Sequence, residues 1–107
     1  METKDALTAL AALAQESRLT IFRLLVQRGP EGLTVGKIAE AVGLPPATLS
    51  FHLKELNHSG LLSSRQEGRF ITYSANFQTM TALLGFLTEN CCGGVACAPS
   101  AISSGCC

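Results

Sequence analysis

Thr34-Val35-Gly36-Lys37-Ile38-Ala39-Glu40-Ala41-Val42-Gly43-Leu44-Pro45-Pro46-Ala47-Thr48-Leu49-Ser50-Phe51-His52-Leu53-Lys54-Glu55-Leu56-Asn57-His58 is the stretch that decides the fold. Val35, Ile38, Ala39 and Val42 recur at helical spacing, which predicts a short helix with one buried face. Thr34 supplies its N-cap and Gly43 its stop. Leu44-Pro45-Pro46 is a tight connection, and Pro46 suits the first turn of a second helix over residues 47–58. That helix buries Leu49, Leu53 and Leu56, and Gly60 ends it. Two short helices joined by a tight turn predict a helix-turn-helix.

Downstream, residues 61–66 and 69–75 read as two strands, with Glu67-Gly68 as the two-residue turn between them. This hairpin would be the wing. Upstream, residues 5–14 carry Leu7, Leu10, Ala11 and Ala14 on one helical face. Gln15-Glu16-Ser17 breaks that helix, with Ser17 as the expected N-cap of the next. Leu19, Phe22, Leu25 and Val26 form the second helix's face, and Gly29-Pro30 ends it. A last helix over residues 76–89 has the stripe Phe77, Met80, Leu84 and Leu87, with Leu83 flanking. The expected fold class is mostly α with a β-hairpin, a winged helix-turn-helix. Residues 1–90 form the domain and residues 91–107 a cysteine-rich tail.

A chain of 107 residues with 47% hydrophobic content suits one ordered domain. An apolar surplus in so small a domain hints at a subunit interface. Eight basic and eight acidic residues cancel to a net charge of zero. Any nucleic-acid contact must then come from local placement of charge. The first residues mix both signs of charge, unlike a secretory signal. No uninterrupted apolar stretch of about 18 residues is present, so no membrane partner is expected. A cytoplasmic, reducing setting follows as the expectation. There, clustered cysteines more often bind metal or do redox work than form a disulfide framework.

In a helix-turn-helix the second helix enters the major groove and shows its polar face to base edges. Here that helix offers Ala47, Thr48, Ser50, Phe51, His52, Lys54 and Glu55. Hydroxyls suit phosphate or base contacts, and Lys54 suits phosphate. Thr34, opening the first helix of the motif, joins the candidates. Arg65 and Arg69 flank the expected hairpin turn, where they could lie along the minor groove or backbone. The candidate DNA-binding set is therefore Thr34, Ala47, Thr48, Ser50, Phe51, His52, Lys54, Arg65 and Arg69.

The residues that carry a family likeness are now in place. Leu13-Ala14-Gln15-Glu16-Ser17-Arg18-Leu19-Thr20-Ile21 resembles the opening signature of the ArsR/SmtB metal-responsive repressors. Leu49-Ser50-Phe51-His52-Leu53-Lys54-Glu55-Leu56, then Gly60-Leu61-Leu62, resembles that family's recognition region. Arg65, Glu67-Gly68-Arg69 and Tyr73-Ser74 match its wing. The likeness covers roughly residues 5–89. It implies a homodimer paired through the first and last helices, reading a palindrome in double-stranded operator DNA. Half-sites would lie about one helical turn apart.

All five cysteines fall in the last seventeen residues: Cys91, Cys92, Cys97, Cys106 and Cys107. Some members of the resembled family place Cys-x-Cys in the first helix of the motif, where this chain has Val35, Gly36 and Lys37. Others use Asp and His on the last helix, and residues 76–89 contain neither. The tail is therefore the expected sensor. Gly93 and Gly94 permit the reversal that brings Cys97 back over the vicinal pair. Three thiolates without imidazole or carboxylate favour soft ions. As(III), a three-coordinate pyramid, suits them best, and Sb(III) should behave alike. Zinc prefers four ligands and would have to recruit Cys106 or Cys107. Zinc, cadmium, lead or copper, a thiol redox switch, or incidental cysteines stay open. A thiol-rich scavenger using the helices only as scaffold is the rival binding function. Catalysis is not expected, because the cysteines are vicinal rather than Cys-x-x-Cys and the tail has no His or basic residue.

Overall fold

The computed structural model describes residues 1–94. Its order is α1 (Thr3–Leu13), α2 (Glu16–Arg28), β1 (Leu33–Thr34), α3 (Val35–Val42), α4 (Pro46–His58), β2 (Leu62–Glu67), β3 (Phe70–Ala75) and α5 (Phe77–Leu87). A single 3-10 turn, Cys91–Gly94, follows. The expected helix-turn-helix is α3, the Gly43–Pro45 connection and α4.

Local chemistry sets the element boundaries. Thr34 caps α3 as expected, its hydroxyl accepting from the Lys37 N–H at 3.4 Å. Gly43 closes α3 in the left-handed region, φ 69°, with its N–H on the Ala39 carbonyl at 2.8 Å. Helix α4 begins on Pro46 with no side-chain cap; its fixed φ and missing N–H suit that first turn. Helix α2 is capped by Gln15, not Ser17: the Gln15 amide oxygen accepts from the Arg18 N–H at 2.9 Å. Helix α1 starts two residues earlier than expected, because Glu2 and Asp5 form a reciprocal capping box. Helix α5 takes Asn76 as its cap, accepting from the Thr79 N–H at 3.2 Å.

The sheet has three strands rather than two, in the antiparallel order β1-β3-β2. Leu33 pairs with Tyr73 and Thr34 with Thr72. A two-residue strand carries no alternation, so sequence pattern could not reveal it. The hairpin turn also moves by one residue. Glu67 pairs with Phe70, so Gly68-Arg69 is the turn, not Glu67-Gly68. Gly68 there has φ 64°, a conformation that glycine adopts without steric strain.

The core is built on Ile21, Leu25, Ile38, Leu49, Leu53, Leu56 and Leu61, all fully buried. Helix α1 contributes Ala6, Ala9 and Ala12 rather than the expected leucines; their small side chains let the helix sit close. Leu7 is 61% exposed. On α5 the flanking Leu83 is buried, whereas Leu84 and Leu87 lie open at 47% and 56%. Leu19 on α2 is likewise exposed, with Ile21 turned inward in its place. Leu7 and Leu10 of α1 and Leu84 and Leu87 of α5 therefore face out of a single chain, while Phe77 and Met80 keep the first half of the expected α5 stripe against the core, and α1 packs against α5.

Candidate nucleic-acid interface

Burial divides α4 into two faces. Leu49, His52, Leu53 and Leu56 face the core. Ala47, Thr48, Ser50, Phe51, Lys54 and Glu55 are exposed. The outward positions 47, 51 and 54 fall at i, i+4 and i+7, one strip of a helix. Five of the sequence candidates, Ala47, Thr48, Ser50, Phe51 and Lys54, are thus exposed on α4, whereas Thr34 at the start of α3 lines a cleft with Lys37 and Arg65 at the base of the wing.

His52 does not belong to the strip. It is 8% exposed, with its Nδ1 3.3 Å from Arg18 Nη1. Arginine only donates, so Nδ1 accepts and the ring proton sits on Nε2. The same Arg18 donates through Nε to the Ala12 carbonyl at 2.7 Å. Arg18 thus ties the end of α1 to the inner face of α4. The expected base-reading role of His52 is corrected: at 3.6 residues per turn, position 52 follows Leu49 and Leu56 inward. Arg18→Ala should lose about 2 kcal/mol of stability, since two acceptors lose their donor. A lowered urea midpoint with unchanged slope would check it; a midpoint equal to wild type would refute it.

Arg65 is also reassigned. It lies inside β2, opposite Thr72, not beside the turn. Its Nε donates to Glu67 Oε1 at 2.9 Å, and Nη2 donates to the Glu31 carbonyl at 2.8 Å. Nη1 reaches the Pro30 carbonyl at 3.4 Å. Arg65 therefore joins the wing to the α2–β1 loop. The Arg65 hydrogen bond, then one from Thr72, then the Arg65 charge hold the Glu67 carboxyl below its ordinary value. A depressed carboxylate supports the fold above its unfolded value, and that support is lost as pH falls through the folded one. Arg69 instead occupies the turn and is exposed, followed by Phe70 at 64% exposure. Sequence reading passed over Phe70; an aromatic beside an arginine at a hairpin tip was the available signal.

The chain reverses sharply after α5. Asn90, Cys92 and Gly93 all have positive φ, at 57°, 57° and 68°. The Cys91 N–H donates to the Thr88 carbonyl at 3.0 Å. Cys91 is half-buried, and Cys92 is exposed and disulfide-bonded. The expected ligands Cys97, Cys106 and Cys107 lie outside the described residues. Among the described residues no three His, Cys, Asp or Glu side chains cluster as a metal site.

Comparison with known proteins agrees with this geometry. A family described as a helix-turn-helix domain matches residues 13–65. The HTH-type transcriptional regulator YceK of Bacillus subtilis, described as uncharacterized, is 39% identical over 77 residues, 71% of this chain and 76% of that protein. The nodulation protein NolR of Rhizobium meliloti is 36% identical over 80 residues, 75% of this chain. That stretch spans 63% of NolR, under two thirds of its length. The solution structure of the homodimeric winged helix-turn-helix DNA-binding domain Mb0332 from Mycobacterium bovis, "a possible ArsR-family transcriptional regulator", superposes with a TM-score of 0.65. It is 30% identical, covering 81% of each chain.

This chain belongs to the ArsR-type helix-turn-helix transcription regulators. In this non-enzymatic, DNA-binding family member, the outward strip of α4 and the wing tip are the exposed faces of the winged helix-turn-helix. Lys37, Lys54 and Arg69 are its exposed cations on α3, α4 and the wing. Arg28 is committed to Glu31 at 3.1 Å, as Arg65 is to Glu67. Among the described residues of the regulator no helix is long and apolar enough to cross a membrane.

Proposed function

We propose that the protein is a cytoplasmic, homodimeric repressor that holds operator DNA and is released when As(III), or equivalently Sb(III), is captured by Cys91, Cys92 and Cys97. Cys106 and Cys107 are reserve donors. One observation carries the reading: the vicinal cysteine pair, which reduction turns into two thiols, sits in a tight left-handed turn directly after α5. Helix α5 is the element whose Leu84 and Leu87 lack cover in a single chain. A two-fold partner would cover them together with Leu7 and Leu10 of α1. The homodimeric state of the Mb0332 domain supports that pairing.

The donor set suits the effector. Two adjacent sulfurs and a third supplied five residues further on offer only soft ligands. Cysteine must shed its proton to bind, so capture strengthens as pH rises. Capture here changes the end of α5 at the subunit contact, and through it the spacing of the two α4 helices. A coupling of about 1–3 kcal/mol corresponds to a 5–150-fold drop in operator affinity, and operator DNA weakens metalloid capture by the same factor.

A second reading has its own observation. The disulfide on Cys92 favours thiol oxidation as the signal. One gel-shift series separates the readings, using the reduced full chain titrated with arsenite, antimonite, zinc, cadmium and lead, and separately with a thiol oxidant. Release by arsenite and antimonite in reductant supports the proposal. Release by oxidant alone supports the redox repressor, and release by zinc, cadmium or lead alone reassigns the effector.

Salt dependence checks the DNA side. With Lys37, Lys54 and Arg69 as the phosphate-directed cations, a dimer neutralises about six phosphates, and log K should fall with log salt at a slope near −5. Lys54→Ala should reduce the slope by about 2, one phosphate per protomer. A slope near −10 would mean that the committed arginines join the contact.

A further inference from the structure

We infer that Phe51 determines operator specificity by packing on the 5-methyl group of a thymine in the major groove; this rests on the DNA-binding reading above and adds to it the base recognised. Phe51 is 55% exposed, on the outward strip of the helix that carries the polar reading residues. Its ring has one aromatic neighbour, His52, at 5.6 Å between centroids and tilted by 60°. His52 is anchored by Arg18, so the Phe51 ring stands on a fixed base. Ala47 and Thr48 lie one turn before it and contribute methyl groups to the same strip. Lys54 lies one turn after it. The result is an apolar spot bordered by a cation and the Ser50 hydroxyl.

A benzyl side chain neither donates nor accepts a hydrogen bond. Each base-pair edge in the major groove displays donors and acceptors, and thymine alone adds a methyl group. Phosphate contacts cannot satisfy Phe51, because the backbone offers oxygens. The charge pattern favours a nucleic-acid occupant over a protein one, since Lys37, Lys54 and Arg69 are exposed on the reading elements. An A·T or T·A pair, oriented to bring its methyl to the ring, is therefore required at one position in each half-site.

The test removes only the methyl group. An operator duplex is first selected from a random-sequence pool with the full reduced chain. Each thymine is then replaced singly by deoxyuridine. Burial of one methyl group is worth about a fourfold change in affinity. One thymine per half-site should show that loss with the wild-type chain. Phe51→Ala should bind the thymine and uracil duplexes equally, while still binding at low salt and remaining in the wild-type oligomeric state. Phe51→Leu, which restores an apolar surface, should recover part of the discrimination. The inference is overturned if no single replacement weakens wild-type binding. It is also overturned if Phe51→Ala keeps the wild-type thymine preference, or if Phe51→Ala alters the oligomeric state instead. If the pool yields no enriched duplex, the regulator reading itself falls and takes this inference with it.

Discussion

Replacing Cys91 and Cys92 together by Ser should leave the regulator bound to its operator at arsenite concentrations that release the wild-type chain. Serine keeps the shape of the turn but supplies a hard hydroxyl in place of a thiolate. With two of three sulfurs gone, a pyramidal three-coordinate site cannot form, and the whole coupling disappears. The expected loss is the full 5–150-fold difference between free and arsenite-bound operator affinity. Single substitutions should weaken the response less evenly. Cys91 is half-buried at the root of the turn, whereas Cys92 is exposed, and either serine leaves intact the Cys91 N–H bond to the Thr88 carbonyl that closes the turn. The readout is the arsenite concentration at half-release in a gel shift under reductant. Release by the double variant at the wild-type arsenite concentration would show that the vicinal pair is not the sensor.

Gly32→Ala should be the most damaging single change in the domain. Gly32 is buried with φ +70°, and an added Cβ would lie 2.2 Å from the Tyr73 carbonyl oxygen and 2.9 Å from its carbon. These are backbone atoms of the central strand, so no side chain can swing aside. The left-handed conformation costs about 1–2 kcal/mol for any other residue, and displacing packed structure adds about 1–3 kcal/mol. A domain of this size has a stability of about 5–15 kcal/mol. The melting temperature should therefore drop by about 8 °C or more. Gly43→Ala is the control. It shares the positive φ, at +69°, but meets nothing within 4 Å, so only the conformational penalty of about 1 kcal/mol applies. Equal melting temperatures for the two variants would refute the packing argument. Because the strand after Gly32 pairs with Tyr73 and Thr72, the wing should also lose its seat against α3, and DNA binding should weaken with stability.

Much of this architecture was legible in the chain before any coordinates. Thr34, Gly43 and Pro46 are local signals, and each does locally what its chemistry demands. Misreadings arose where two local signals competed or where a distant partner overrode a local preference. Ser17 is a good cap by type, but Gln15 reaches the Arg18 N–H first. Leu7, Leu10, Leu84 and Leu87 have the right spacing for a core, yet alanines and Leu83 fill the interior. Periodicity reports that a face is apolar, not what covers it. His52 and Arg65 were chosen as polar residues on reading elements. Their partners, Arg18 and the Pro30 and Glu31 carbonyls, are 34 or 35 residues distant in sequence.

Residue order alone determined the helix-turn-helix, the hairpin after it, through these the family, and the cysteine cluster at the carboxy end. Those features rest on contacts within a few positions of one another, which helix caps, turns and composition express directly. Only tertiary packing decided that His52 turns inward to Arg18, that β1 exists at all, and that Arg65 braces the wing while Arg69 and Phe70 occupy its tip. Those choices depend on which distant backbone carbonyl or buried side chain comes within hydrogen-bond reach, and chain proximity carries no record of that.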